Sequence, residues 1–170
     1  NMVLTSVFSL FMNDSTDEMN QSMQLITDGR PFIQLLLIIG ILPAVCEEIL
    51  FRGYLYSSVK NRMKPLAAMI IVSLTFGLYH MNLIQSTVTA ILGMILVYSV
   101  YRTECIFVSM IIHAMNNSFS VICMSYPDNA VIKRINEIPP VQGIIMFSVI
   151  GALLIFAGFY IIKKHKRINC

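Results

Sequence analysis

PFIQLLLIIGILPAVCEEILFRG, residues 31–53, decides the fold. Residues 31–43 are apolar apart from Gln34 and open a segment long enough for a membrane helix, which needs about 20 predominantly apolar residues. Glu47, Glu48 and Arg52 then fall inside that same segment. A charge at mid-membrane costs roughly 2.5–3.5 kcal/mol on insertion scales, so such residues tend to be paired, turned inward and functional. Glu48 and Arg52 stand four apart on one helix face, with the acid on the N-terminal side, the favourable order for pairing. Glu47 lies about 140° from Arg52 at about 100° per residue, so this arginine does not neutralise it from within the helix. One acid reads as structural and its neighbour as available. Pro43, which lacks an N–H and clashes with the preceding turn, predicts a kink just above the carboxylates.

Composition agrees with this reading. The chain of 170 residues is 56% hydrophobic, with mean hydropathy +0.73 and 12% charged residues. A soluble domain carries roughly 25%. These values predict an integral membrane protein, and the successive apolar segments an all-α, polytopic membrane helix bundle. A net charge of +3 makes no case for a nucleic-acid partner. The expected order is a partial helix over 2–12, a polar loop over 13–30, and a long helix over 31–59. A basic turn at 60–64 leads to a helix over 66–80 that enters a turn at HMNL. Helices over 84–101 and 105–124 flank a tight YRTE turn. A proline-bearing loop over 125–140 precedes the last helix, 141–162. The whole, 1–170, reads as one membrane domain with its chemistry in 31–124. The apolar run before residue 13 has no basic leader and reads as a truncated helix rather than a signal peptide. The four cysteines have no metal-ligand spacing and read as apolar filler.

Charge supplies an orientation. With the C-terminus cytoplasmic, Lys60, Arg62, Lys64, Arg102, Lys163, Lys164, Lys166 and Arg167 fall inside. Only Arg30, Lys133 and Arg134 fall outside, the asymmetry of the positive-inside rule. The expectation is a multi-pass protein, of the cell membrane if the source is prokaryotic.

Two further helices carry polar groups inside apolar runs. FGLYH, residues 76–80, puts His80 on the face of Phe76, and HAMNN, residues 113–117, puts His113 and Asn117 on one face. At about 1.5 Å per residue from the cytoplasmic ends, Glu47 lies about 18 Å deep, His80 about 21 Å, His113 about 12 Å and Asn117 about 18 Å. Singly, such a His or Asn is usually a helix–helix hydrogen-bond partner. Together at one depth, on helices that can meet, they predict one site.

In order, EEILFR, FGLYH and HAMNN match EExxxR, FxxxH and HxxxN, a trio that resembles the CAAX protease and bacteriocin-processing family of intramembrane endopeptidases. The resemblance implies an all-helical membrane bundle with a polar intramembrane cavity, open toward the cytoplasm, that hydrolyses a peptide bond of a protein or peptide reached within or near the bilayer. It implies Glu47 as catalytic carboxylate, His80 as its helper in activating water, His113 and Asn117 as oxyanion hole, and Glu48 with Arg52 as the pair that holds the geometry. The chemistry is sound: a desolvated carboxylate is a better proton acceptor, and each oxyanion donor in a dry site is worth about 3–4 kcal/mol. Glu47, His80 and His113 also make a ligand set that some zinc sites use. No HExxH motif is present, and a metal-bound Glu47 would be lost as base. Metal-free hydrolysis is therefore the expectation, with Zn²⁺ as the alternative. A catalytically idle immunity or scaffold protein and a proton-coupled transporter are the competing functions. The second lacks the internal repeats that it would need.

Overall fold

The computed structural model describes residues 25–81, 83–126 and 128–136. The expectations for residues 2–12 and 141–162 lie outside these. From Phe32 onward the described residues form four long helices and a short one: α1 Phe32–Val59, α2 Pro65–Tyr79, α3 Leu83–Thr103, α4 Ile106–Ser125 and α5 Ala130–Asn136. Among the described residues there is no strand. The protein is an all-α integral membrane protein. α1, residues 85–103 of α3, and α4 are long and apolar enough to cross a bilayer. α2 is apolar but has 15 residues, about 22 Å of helix against roughly 30 Å of hydrocarbon.

α1 starts behind an extended Pro31, whose carbonyl accepts the N–H of Gln34 and Leu35. It is not a uniform α-helix. Leu36–Ile41 and Ile49–Tyr56 are π-helical, and an α-helical stretch, Leu42–Glu48, lies between them. Within the first wide stretch the register slips, so Leu42 N–H bonds the carbonyl five residues back, that of Leu37. The cause is Pro43, which cannot donate and whose ring crowds the carbonyl four residues earlier. The expected kink is thus a change of helix type. Such π-turns inside α-helices occur often at functional sites.

The chain then reverses through Lys60–Lys64, and Pro65 opens α2 in its first turn, where the missing N–H costs nothing. α2 and α3 form a close antiparallel pair. A Cβ on Gly77 would sit 2.5 Å from the Ser86 carbonyl oxygen and 2.8 Å from Ala90 Cβ, so only glycine allows this approach. α4 lies along the first half of α1, where Gly40 leaves room for Ser118. The buried core gathers Phe51 and Tyr56 of α1 with Ala68, Met69, Val72 and Phe76 of α2 and Val97 of α3. Large apolar side chains such as Leu37, Leu66, Leu74, Ile91 and Ile111 point outward, as a lipid-facing surface requires.

Three expectations change. The YRTE segment is not a four-residue turn: α3 runs to Thr103, and the reversal is confined to Glu104, left-handed at φ 57°. The 125–140 loop contains α5, whose start is capped by Asn129 Oδ1 accepting the Val131 N–H at 3.0 Å. Cys105, read as apolar filler, is disulfide-bonded, whereas Cys46 and Cys123 are free thiols.

Candidate active site

The site is built where α1, α2 and α4 meet. Glu48 is fully buried, and its Oε1 accepts two hydrogen bonds, from Arg52 Nη1 at 2.7 Å and from His113 Nδ1 at 2.9 Å. The ion pair implied by the i, i+4 spacing is therefore present. Arg52, 1% exposed, also donates from Nη2 to the Gly93 carbonyl of α3 at 3.0 Å and lies 4.5 Å over the face of Phe76. Two charges in such a place lose their hydration, so the pair holds only while its partners stay in position. Among the described residues Arg52 Nε and Glu48 Oε2 find no partner.

Glu47 points elsewhere. Its side chain keeps 19% exposure, and its Oε2 lies 3.8 Å from His113 Nε2. His113 thus stands between the two acids, one ring nitrogen toward each. With Nδ1 donating to Glu48, a neutral ring would turn a lone pair toward Glu47, and only the doubly protonated ring offers it an N–H. His80 bonds through Nδ1 to the Phe76 carbonyl at 3.0 Å. In the neutral ring that nitrogen is the donor, which leaves Nε2 as an acceptor. His80 is near enough to interact electrostatically with the Glu47 carboxylate. Phe76 is the shared wall: it is fully buried and meets His80 and His113 edge-on, at centroid distances of 5.2 Å and 5.7 Å.

Asn117 makes no hydrogen bond to either glutamate. Its Nδ2 donates to the Ile39 carbonyl at 3.4 Å. Ile39 is four residues before Pro43, so its carbonyl lacks the partner that an unbroken α-helix would supply. Asn117 accordingly braces the helix break above the carboxylates, and its amide has a second N–H to offer elsewhere.

The structure thus joins Glu47, Glu48, Arg52 and His113 in one connected group, with His80 beside it and Asn117 one turn away on α4. Gly93 was not anticipated from sequence, because its contribution is a backbone carbonyl. Phe76 was noticed only as the marker of a face. Among the described residues no three His, Cys, Asp or Glu side chains converge closely enough to hold a metal ion, so Glu47, His80 and His113 as placed do not fit one.

Residues 29–119 match the model of the Rce1-like family, described as type II CAAX prenyl endopeptidase Rce1-like. The chain belongs to this family. The matched span exceeds half the chain and contains α1, α2, α3 and most of α4, with every residue of the site. No curated protein and no solved structure matches the chain. Members of the Rce1-like family are CAAX-type proteases of the membrane, and this chain's site lies within the part that makes it a member.

Proposed function

We propose that the chain is an intramembrane endopeptidase in which Glu47 is the general base. The observation that carries this is the division of labour between two adjacent acids. Glu48 is buried and committed to Arg52 and His113, whereas Glu47 is partly open and bound to no cation within hydrogen-bond distance. Glu47 takes the proton of a water molecule as its oxygen attacks the scissile carbonyl, and His80 Nε2 accepts the water's other hydrogen bond. His113, held by Glu48, and the second N–H of Asn117 stabilise the oxyanion. Glu47 then returns its proton to the leaving amine nitrogen. Water is consumed, one peptide bond breaks, and no metal is required.

The family description points to a prenylated substrate protein. A multi-pass topology in one membrane domain, with the C-terminus cytoplasmic, fits the charge distribution. The deciding experiment reconstitutes the chain in liposomes and measures both cleavage of membrane-anchored peptides, with and without a prenyl group, and proton flux. Cleavage that is abolished by Glu47→Gln while the protein stays folded supports the assignment. Proton flux without cleavage would make the chain a transporter, and neither activity would make it a scaffold.

A further inference from the structure

Ala68, Val72 and Tyr79 follow one another along one side of α2, at a spacing that keeps them within about 40° of each other. The first two are fully buried, but Tyr79 is 57% exposed. The course of α1 explains the difference. Its second half, Ile49–Tyr56, packs on α2, whereas Leu36–Glu48 packs on α4. The two helices therefore part beyond the contact of Phe51 with Phe76, whose rings lie 5.0 Å apart. Tyr79 stands about 4.5 Å further along α2 than Phe76, in the crevice that opens there. Its exposure is into the space between helices, since the lipid-facing side of α2 carries Leu74 and Leu78.

The same crevice holds Glu47. The Tyr79 ring meets Phe51 at 5.7 Å and His80 at 5.9 Å, both times edge to face. Phe51 is one turn from Glu47 on α1, and His80 stands near the Glu47 carboxylate. Rings from two helices thus fix the phenol beside the reacting groups. Its hydroxyl is a different case from the others of α2. Ser73 and Thr75 close theirs onto carbonyls of the helix, at 2.7 Å and 2.8 Å. Among the described residues no group bonds the Tyr79 hydroxyl. A hydroxyl in a water-poor layer costs free energy until it finds a partner. Nor does Tyr79 belong to an interfacial belt, because α2 has only 15 residues and ends level with the carboxylates, short of a headgroup layer.

We propose that Tyr79 is a substrate-positioning residue, whose hydroxyl donates a hydrogen bond to a backbone carbonyl of an extended peptide lying between α1 and α2. The substrate class rests on the peptidase reading above. An extended strand has no internal partners for its carbonyls and must find donors in the protein. His113 and Asn117 approach the scissile carbonyl from α4, so the donor on α2 takes a neighbouring carbonyl. Tyr79 makes and breaks no covalent bond. It sets the register of the strand, and so decides which peptide bond faces Glu47.

Tyr79→Phe keeps the ring and both aromatic contacts and removes only the hydroxyl. In the full chain, reconstituted in liposomes, it should raise KM for a membrane-anchored peptide about three- to tenfold, the loss of one neutral hydrogen bond, with kcat unchanged. A purely packing role for the ring would leave both constants alone. Tyr54→Phe, which removes an exposed phenol elsewhere on α1, should change neither. Binding is measured separately, by titrating a dye-labelled, prenylated peptide against the full chain in a Glu47→Gln background. There Tyr79→Phe should raise Kd by the same factor. Binding that depends on Tyr79, in a parent chain that cleaves nothing, would support the positioning role and overturn the peptidase reading instead. Unchanged KM and Kd, a fall in kcat alone, or no saturable binding of the peptide would overturn the proposal.

Discussion

Glu48→Gln removes a charge from the centre of the site while keeping its shape. Arg52 Nη1 and His113 Nδ1 both reach the same oxygen, Oε1, at 2.7 Å and 2.9 Å, and Oε2 has no partner among the described residues. A glutamine carbonyl can accept both bonds, and its amide nitrogen falls where nothing was bonded. What remains for Arg52 is the Gly93 carbonyl at 3.0 Å and the Phe76 face at 4.5 Å, neither of them charged. The cation–π contact is worth about 2 kcal/mol when desolvated. Breaking a buried ion pair costs about 3–5 kcal/mol, so the folding equilibrium should fall by roughly 10²–10⁴. The assay is the folded fraction across an SDS titration in mixed micelles, with hydrolysis normalised to folded protein. Glu48→Gln should unfold at lower SDS and hydrolyse more slowly, because Arg52 and His113 lose the anion that holds them in position. Glu47→Gln should unfold like the parent. An unshifted midpoint for Glu48→Gln would refute the claim that its charge holds Arg52. A well-folded, inactive Glu48→Gln beside an active Glu47→Gln would reverse the two acids.

Asn117→Ala should lower kcat by about 10²–10³ with little change in KM, as loss of one oxyanion donor does; normal kcat with raised KM would make Asn117 a substrate-holding residue. Stripping folded, purified protein with a strong chelator should leave most of its rate, whereas full loss restored by stoichiometric Zn²⁺ would make Glu47, His80 and His113 ligands. In a cysteine-free background, a cysteine at position 20 should be labelled from outside intact cells and one at position 166 should not. Labelling at 166 would invert the orientation.

The helices were legible because the bilayer demands long apolar runs, and the polar interruptions stood out against them. Glu48 and Arg52 could be paired from spacing alone, since an i, i+4 ion pair is local. The widened turns of α1 were not legible, because one extra residue per turn leaves an apolar run apolar. Pro43 announced a disturbance without saying which kind. The Asn117 contact with the Ile39 carbonyl and the Arg52 contact with the Gly93 carbonyl cross between helices and end on backbone, which carries no residue-specific signal. α5 was missed because a proline-bearing segment reads as loop, although Asn129 before AVIKRIN was a capping signal.

The wide turns of α1 also fix the phase of everything after them. A π-turn acts as an extra residue accommodated without breaking the helix, and its removal would rewind the following segment by about 100°. Rewinding Leu36–Ile41 to an α-helix with every residue kept would therefore swing Glu47 and Glu48 together off the α4 face, whereas deleting one residue there would tighten the helix and leave them in phase. The helix is less regular than it could be at the place that aims it. A substitution that lets this stretch rewind is consequently excluded for a geometric reason, even where it keeps the run apolar.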